Sequence, residues 1–404
     1  MRQLTCLVTI VVNLVAASAA FPQDSVDVPW KHLSSTRGEI PLPNSGNQQT
    51  ATAALDVDKD GDNDFIVAER STAPAVTWFR FDRGKWTRYV VEAGQLSIEA
   101  GSASHDIDGD GDLDVVFGGD GSSNCVWWWE NPHPAYEAET PWVRRFIKNT
   151  GKNKHHDQLF GDFDGDDQVE LVFWNQGARS LVLAEIPSEP KVASEWDCTA
   201  IYAYSGKSEP AQRGTYPEWK ARNEHEGLAK ADIDGDGKLD IVGGGRWFRH
   251  VQGLEFASNI IDETYAFTRS AAGQTIEGGR PEIVLVVGDG IAPLLLYEWK
   301  EETWVSKEIL SEVHNGHSLE LIDVNGDGHL DIFNAEMRLG PKTDPKARIL
   351  LGDGKGNFVE TVVCAGYGLH ESRIVDLDGD DDLDILGKPY TWEAPRLDIW
   401  LDPR

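Results

Sequence analysis

The sequence predicts an all-β fold, a seven-bladed β-propeller closed by an amino-terminal strand that completes the last blade. Two observations carry this expectation. A nine-residue acidic pattern occurs six times along the chain, and each copy runs into short apolar and Trp-rich segments of strand character.

The chain opens with Arg2, an apolar run from Leu4 to Ala17 and the small residues Ala17-Ser18-Ala19-Ala20, the pattern of a secretory signal. Residues 1–20 are therefore expected to be a signal peptide and residues 21–404 the propeller of a secreted or periplasmic protein. A membrane anchor is the alternative reading, but Asn13 interrupts the run and small residues end it. No later segment is long and apolar enough to cross a bilayer, so no membrane span is expected after signal removal. Loss of Cys6 with the signal leaves Cys125, Cys198 and Cys364, compatible with one disulfide plus a free thiol or with three thiols.

The formal net charge is −31, which argues against a nucleic-acid partner, since phosphates need Lys and Arg to replace their counterions. The charge is concentrated. Six short segments hold 28 of the 68 carboxylates, and each places oxygen ligands at positions 1, 3, 5 and 9 of one pattern. The sets are Asp56, Asp58, Asp60 and Asp64; Asp106, Asp108, Asp110 and Asp114; Asp162, Asp164, Asp166 and Glu170. The remaining three are Asp232, Asp234, Asp236 and Asp240; Asp323, Asn325, Asp327 and Asp331; Asp376, Asp378, Asp380 and Asp384.

A hard cation explains this spacing. Calcium takes six to eight oxygens at about 2.3 to 2.6 Å, and a tight turn with alternate acidic side chains delivers several of them from one short stretch. Gly61, Gly111, Gly237 and Gly328 let the turn close, and without a cation the crowded carboxylates repel one another. About six structural Ca2+ sites are expected. A merely solvated acidic turn is the plain alternative, and six copies weigh against it. An EF-hand would need a Glu at position 12 and flanking helices. That position holds Phe117 and Gly243, and the following Leu113-Asp-Val-Val-Phe and Leu239-Asp-Ile-Val are strand-like.

Spacings of 50, 56, 70, 91 and 53 residues separate the first aspartates. The gap of 91 is close to two repeats and contains Gly278-Gly-Arg-Pro-Glu-Ile-Val-Leu-Val-Val, the second strand of a unit without an acidic loop. That makes seven units of propeller-blade length. Third strands are legible in Val76-Thr-Trp-Phe, Val126-Trp-Trp-Trp and Leu294-Leu-Leu-Tyr, and fourth strands begin at Trp86, Trp142 and Trp304. The seventh unit stops at a third strand, Arg396-Leu-Asp-Ile-Trp-Leu, while Trp30-Lys-His-Leu-Ser precedes the first unit as an orphan fourth strand. Pairing the two would close the ring and remove an exposed edge.

These loops and the strands after them resemble the FG-GAP/VCBS repeat family, found in the propeller of integrin α-subunits and in many secreted bacterial proteins. The resemblance covers nearly the whole chain after the signal and implies a metal role for the loop residues named above. Asn325 at position 3 and Glu170 at position 9 depart from Asp but keep an oxygen ligand. The fifth blade is expected to bind no calcium by this route.

Fold does not give function, and the informative remainder is histidine placement. Counting back six or seven residues from the first aspartate of a loop reaches His155, His156, His225, His317 and His370. They are expected to gather at the mouth of the central channel opposite the loops. Glu99, Asp157, Glu224, Glu226, Glu320, Glu371, Arg222 and Arg373 accompany them, and Lys388, Tyr390 and Tyr367 could add an ammonium or a phenol. A second divalent metal held by imidazoles and a His general base are both open at such a site. Each histidine taken singly would more often be structural.

Two function classes follow. The propeller is similar to that of aldos-2-ulose dehydratase and, more loosely, to polysaccharide lyases, which implies elimination on a carbohydrate. His155, His156, His225, His317, His370, Arg373 and Tyr390 are the catalytic candidates, with Trp247, Trp392 and Tyr390 as stacking surfaces. The other class is a non-catalytic binding or adhesion module for an extracellular protein. The insertion from Ile186 to Asn223, with Trp196, Tyr202, Tyr204, Tyr216 and Trp219, could supply its lip or could be a long fourth strand with an ordered loop.

Overall fold

The computed structural model describes residues 30–205, 224–339 and 344–404. The expected signal peptide, Arg222, Tyr216 and Trp219 lie outside them. Among the described residues the strands form seven four-stranded antiparallel sheets, a seven-bladed β-propeller. Six blades take their four strands consecutively from the chain. In the seventh, Lys31–Ser34 pairs with Asp398–Leu401, next to Asp384–Gly387 and Arg373–Val375.

Both faces of each blade are covered by neighbours, so central strands read as unbroken apolar runs. In Asp64–Glu69 the alternation of side chains sends Phe65 and Val67 into a core shared with Leu386, Ile399 and Leu401 of blade seven. Ile66 and Ala68 face the other way, into a core with Phe117, Trp127 and Trp129 of blade two. The innermost strands stand side by side around the axis. Blades one and seven are tied there by the Lys388 ammonium on the Gln49 carbonyl (2.8 Å) and by the Gln49 N–H on the Tyr390 carbonyl (3.0 Å).

Each acidic loop joins the first and second strands of its blade. The residue at position 6 is left-handed in all six, a glycine in four of them and Asp167 (φ 67°) and Asp381 (φ 71°) in the others. Its N–H donates back to the first aspartate, as Gly328 does to Asp323 (2.8 Å). Position 9 is buried and fastens the loop to the blade. Asp384 accepts the Leu377 N–H (2.9 Å) and the Asp402 N–H (2.8 Å), and Asp331 accepts those of Val324 and Gly352.

The fifth blade keeps that fastening without the acidic loop. Glu282 accepts the Thr275 N–H (2.8 Å), the Thr275 hydroxyl (3.0 Å) and the Ile276 N–H (2.9 Å). This aligns Glu282 with position 9 and Gln274 with position 1, and leaves Ile276 and Gly278 where other blades carry acidic oxygens. Glu282→Ala strands three donors beside a buried side chain and is expected to cost about 2 to 4 kcal/mol, measured by chemical denaturation.

Candidate functional site

One rule of register builds the site. The residue six places before the first loop position is His156 in blade three, Glu226 in blade four, His317 in blade six and His370 in blade seven, and all four are buried at the axis. They line a cavity of about 480 Å³ to which all seven blades contribute, together with Arg70, Glu99, Asp120, Lys154, Glu224, Asp289 and Tyr390. One ligand atom each from His156, Glu226 and His317 falls within 4.8 Å of the others, and the same holds for His317, His370 and Glu371.

The residue one place further along forms a second layer. Here stand Asp157, Arg269 and Glu371, with Gly101 and Gly227 in blades two and four. Asp157 (φ 52°) and Glu371 (φ 51°) adopt the left-handed backbone that the glycines adopt freely, at a cost of roughly 1 to 2 kcal/mol each. Asp157 Oδ2 lies 2.8 Å from His156 Nδ1 and accepts the Gly227 N–H at 2.8 Å. Glu371 Oε1 lies 3.2 Å from His317 Nδ1. The Arg269 guanidinium bonds to Asp157 and lies 3.4 Å from Glu371.

These pairs set the charges. Burial opposes ionisation of Asp157 and Glu371, yet Arg269 holds both carboxyls well below the usual range. Burial alone would keep His156 neutral, but Glu226 and then Asp157 raise it to about 10. Glu226 itself is pushed up to about 7 by burial. His370 is held well below the usual imidazole value by burial and then by His317 and Lys388. Its ring stacks 4.8 Å from Tyr390, and burial brings the neighbouring Lys388 down to about 7.

Beyond the second layer lies a separate polar cavity of about 350 Å³, lined by Ala53, Ser102, Gln158, Glu320 and Arg373 among others. Arg373 thus sits on the loop side of the axis, paired with Glu320 (3.3 Å), away from the imidazoles. The expected gathering of histidines holds only for those six places before the loop. His155 and His225, seven places before it, turn away from the axis. His155 packs between Lys148 and Phe173, and His225 stacks on Tyr204 at 3.7 Å. Burial lowers both to about 3.

Other expected residues also lie elsewhere. Trp247 is buried in a blade core, Tyr367 packs on His32 and Trp400, and Trp392 is exposed. Trp196 is buried, while Tyr202 and Tyr204 pack around His225. The three described cysteines are free thiols. Arg269, Arg70, Lys154, Asp120 and Asp289 were not expected. Arg269 becomes legible once Gln274 is aligned with position 1, which places it in the second layer.

Residues 106–173, one acidic loop with its strands and the next, match the model of the FG-GAP-like repeat. The propeller thus carries an FG-GAP-like repeat. Among solved structures this propeller is similar to BBS1N in complex with ARL6DN, with TM-score 0.51 at 9% identity over 90% of this chain and 95% of that one. AofleA from Arthrobotrys oligospora aligns with TM-score 0.43 at 12% identity over 84% of the propeller and 91% of its own chain. No curated protein matches the propeller in sequence. No helix among the described residues is long and apolar enough to cross a membrane.

Proposed function

We propose that this is a secreted, calcium-braced propeller that acts at its channel mouth on a small carbohydrate by elimination. The observation that carries the reading is the convergence of three buried imidazoles from three blades with the Tyr390 phenol in one cavity at the axis.

Calcium fits the loops by the oxygens they leave unspent. Asp58 Oδ1, Asp64 Oδ2, Glu170 Oε1 and Asp378 Oδ1 are buried without a hydrogen-bond partner, an arrangement costly unless a cation takes them up. In blade three Asp162, Asp164, Asp166 and Glu170 bring ligand atoms within 4.8 Å of one another. In blades one and two the clustered set is positions 1, 3 and 5, with position 9 held to the backbone. Arg80, Lys191 and Arg249 pair with the position 3 carboxylates of blades one, two and four, so those loops carry part of their counter-charge already.

At the mouth, neutral His370 is suited to take the proton from a carbon next to a carbonyl. The electron pair left behind forms a C=C bond as the neighbouring C–O bond breaks, and the departing oxygen takes a proton from Tyr390. The lining favours a neutral substrate. Arg70 is paired with Glu99 and Asp120, and Lys154 with Glu224, and the carboxylates of the lining outnumber these two cations, which disfavours a polyuronate. Its volume suits a mono- or disaccharide rather than a polymer.

The test is formation of an enone-absorbing product from neutral keto-sugars, with uronate oligosaccharides as comparison. His370→Ala and Tyr390→Phe are each expected to lower turnover about 100-fold or more with the melting temperature in calcium kept. Absence of product across the panel overturns the reaction, and saturable sugar binding without product would leave a binding module.

A further inference from the structure

We infer that His156, Glu226 and His317 form the ligand set of a divalent transition-metal site on the propeller axis, separate from the acidic loops. Two imidazoles and a carboxylate are the donor set of catalytic zinc and of related first-row ions, which keep further positions open for water or substrate. The same three residues line the mouth cavity, from which water or substrate would reach the ion.

Four features of the side chains point to a cation. Glu226 is buried, and its Oε2 has no hydrogen-bond partner. Its Oε1 stands 3.3 Å from His156 Nε2, close to the separation of two ligands each roughly 2.1 Å from a tetrahedral ion. Both imidazoles present Nδ1 to a carboxylate, His156 to Asp157 and His317 to Glu371. That is the outer-shell arrangement of metal-bound histidine, in which a cation would replace the proton between His156 Nε2 and Glu226. Lastly, Asp157 and Glu371 share the single guanidinium of Arg269, while Glu226 faces the His156 imidazole, so carboxylates outnumber guanidinium groups at this level of the axis.

The second cluster, His317 with His370 and Glu371, is the weaker ligand set. Glu371 makes no hydrogen bond with either oxygen, but it has two guanidinium groups, Arg269 and Arg373, at 3.4 and 3.7 Å to balance its charge. His370 Nδ1 lies 3.3 Å from the Lys388 ammonium nitrogen. His370, whose ring lies 4.2 Å from that of His317, is therefore left as the base rather than a ligand. Arg269, contributed by the blade without an acidic loop, is a positioning residue that braces both outer carboxylates at once.

The test is zinc binding by the whole protein in saturating calcium, by metal counting after gel filtration and by competition with a chromophoric chelator. One zinc per chain is expected. Glu226→Gln and His317→Ala should each weaken it 100-fold or more while the melting temperature in calcium stays near the parent's, and Asp157→Asn should weaken it 10- to 100-fold. If His317→Ala does not fold, Glu226→Gln decides alone. Sub-stoichiometric zinc in the parent, or variants that bind as it does, overturns the assignment. A chain that binds zinc in this way but makes no elimination product keeps the metal site and loses the proposed reaction. Full turnover by a parent chain that binds no zinc does the reverse.

Discussion

In excess EGTA the propeller is expected to melt roughly 10 °C or more below its midpoint in millimolar calcium. A site held at 100 times its Kd contributes ~2.7 kcal/mol, and ~1 kcal/mol moves the midpoint of a large domain by about 1 to 2 °C. With six loops the sum is large even if half are weak. The pH dependence has a definite sign. Burial raises the position 9 carboxyls of the metal-free chain, to about 8 for Asp64 and Asp114 and to about 7 for Glu170, Asp240 and Asp384. In the unfolded chain they titrate near 4. Between these values the folded chain holds more protons, so stability in EGTA falls as pH rises from about 5 to 8. In calcium the bound ion keeps the carboxylates ionised and that fall disappears. A midpoint unmoved by EGTA would remove calcium from the account.

Deletion of residues 21–36 is expected to cost on the order of 5 kcal/mol, from lost burial of apolar side chains at the seam and about four ladder hydrogen bonds. It unpairs Asp398–Leu401 and strips His32 from its stack on Trp400 (4.7 Å, 4° between planes) and from Asp398 (2.8 Å). The blade seven edge left open would also favour association between chains. Differential scanning calorimetry with sedimentation reads both effects. A deletion variant that melts within a degree or two of the parent contradicts the role given to this strand.

Blade number was legible because one loop pattern repeats and each copy fixes the register of the strand before it. Even the loop-free fifth blade declared itself through the strand that carries Glu282. The site was half legible. Six and seven places before the loop both hold histidines, and simple alternation cannot choose between His155 and His156. In blades three, four and seven the residue that follows is left-handed, Asp157, Gly227 or Glu371, and the side chain before it faces the axis. Gly227 hints at this in blade four, but Asp157 and Glu371 hide it, because the same conformation is carried there by residues that disfavour it. Arg269 was hidden for another reason: its blade has no acidic loop from which to count.

The two layers explain why strain is kept at Asp157 and Glu371. A glycine would relieve each backbone but would release the imidazole its carboxylate holds. On the proposed reading, bracing and chemistry would occupy opposite ends of the same inner strands, joined through the second layer.

Anomalous scattering from crystals grown in calcium and then exposed to zinc tests that division most directly. The expected map shows calcium at the six acidic loops, none at the fifth blade, and a single zinc on the axis between His156, Glu226 and His317. Zinc confined to the acidic loops, with the axial position empty, would contradict it.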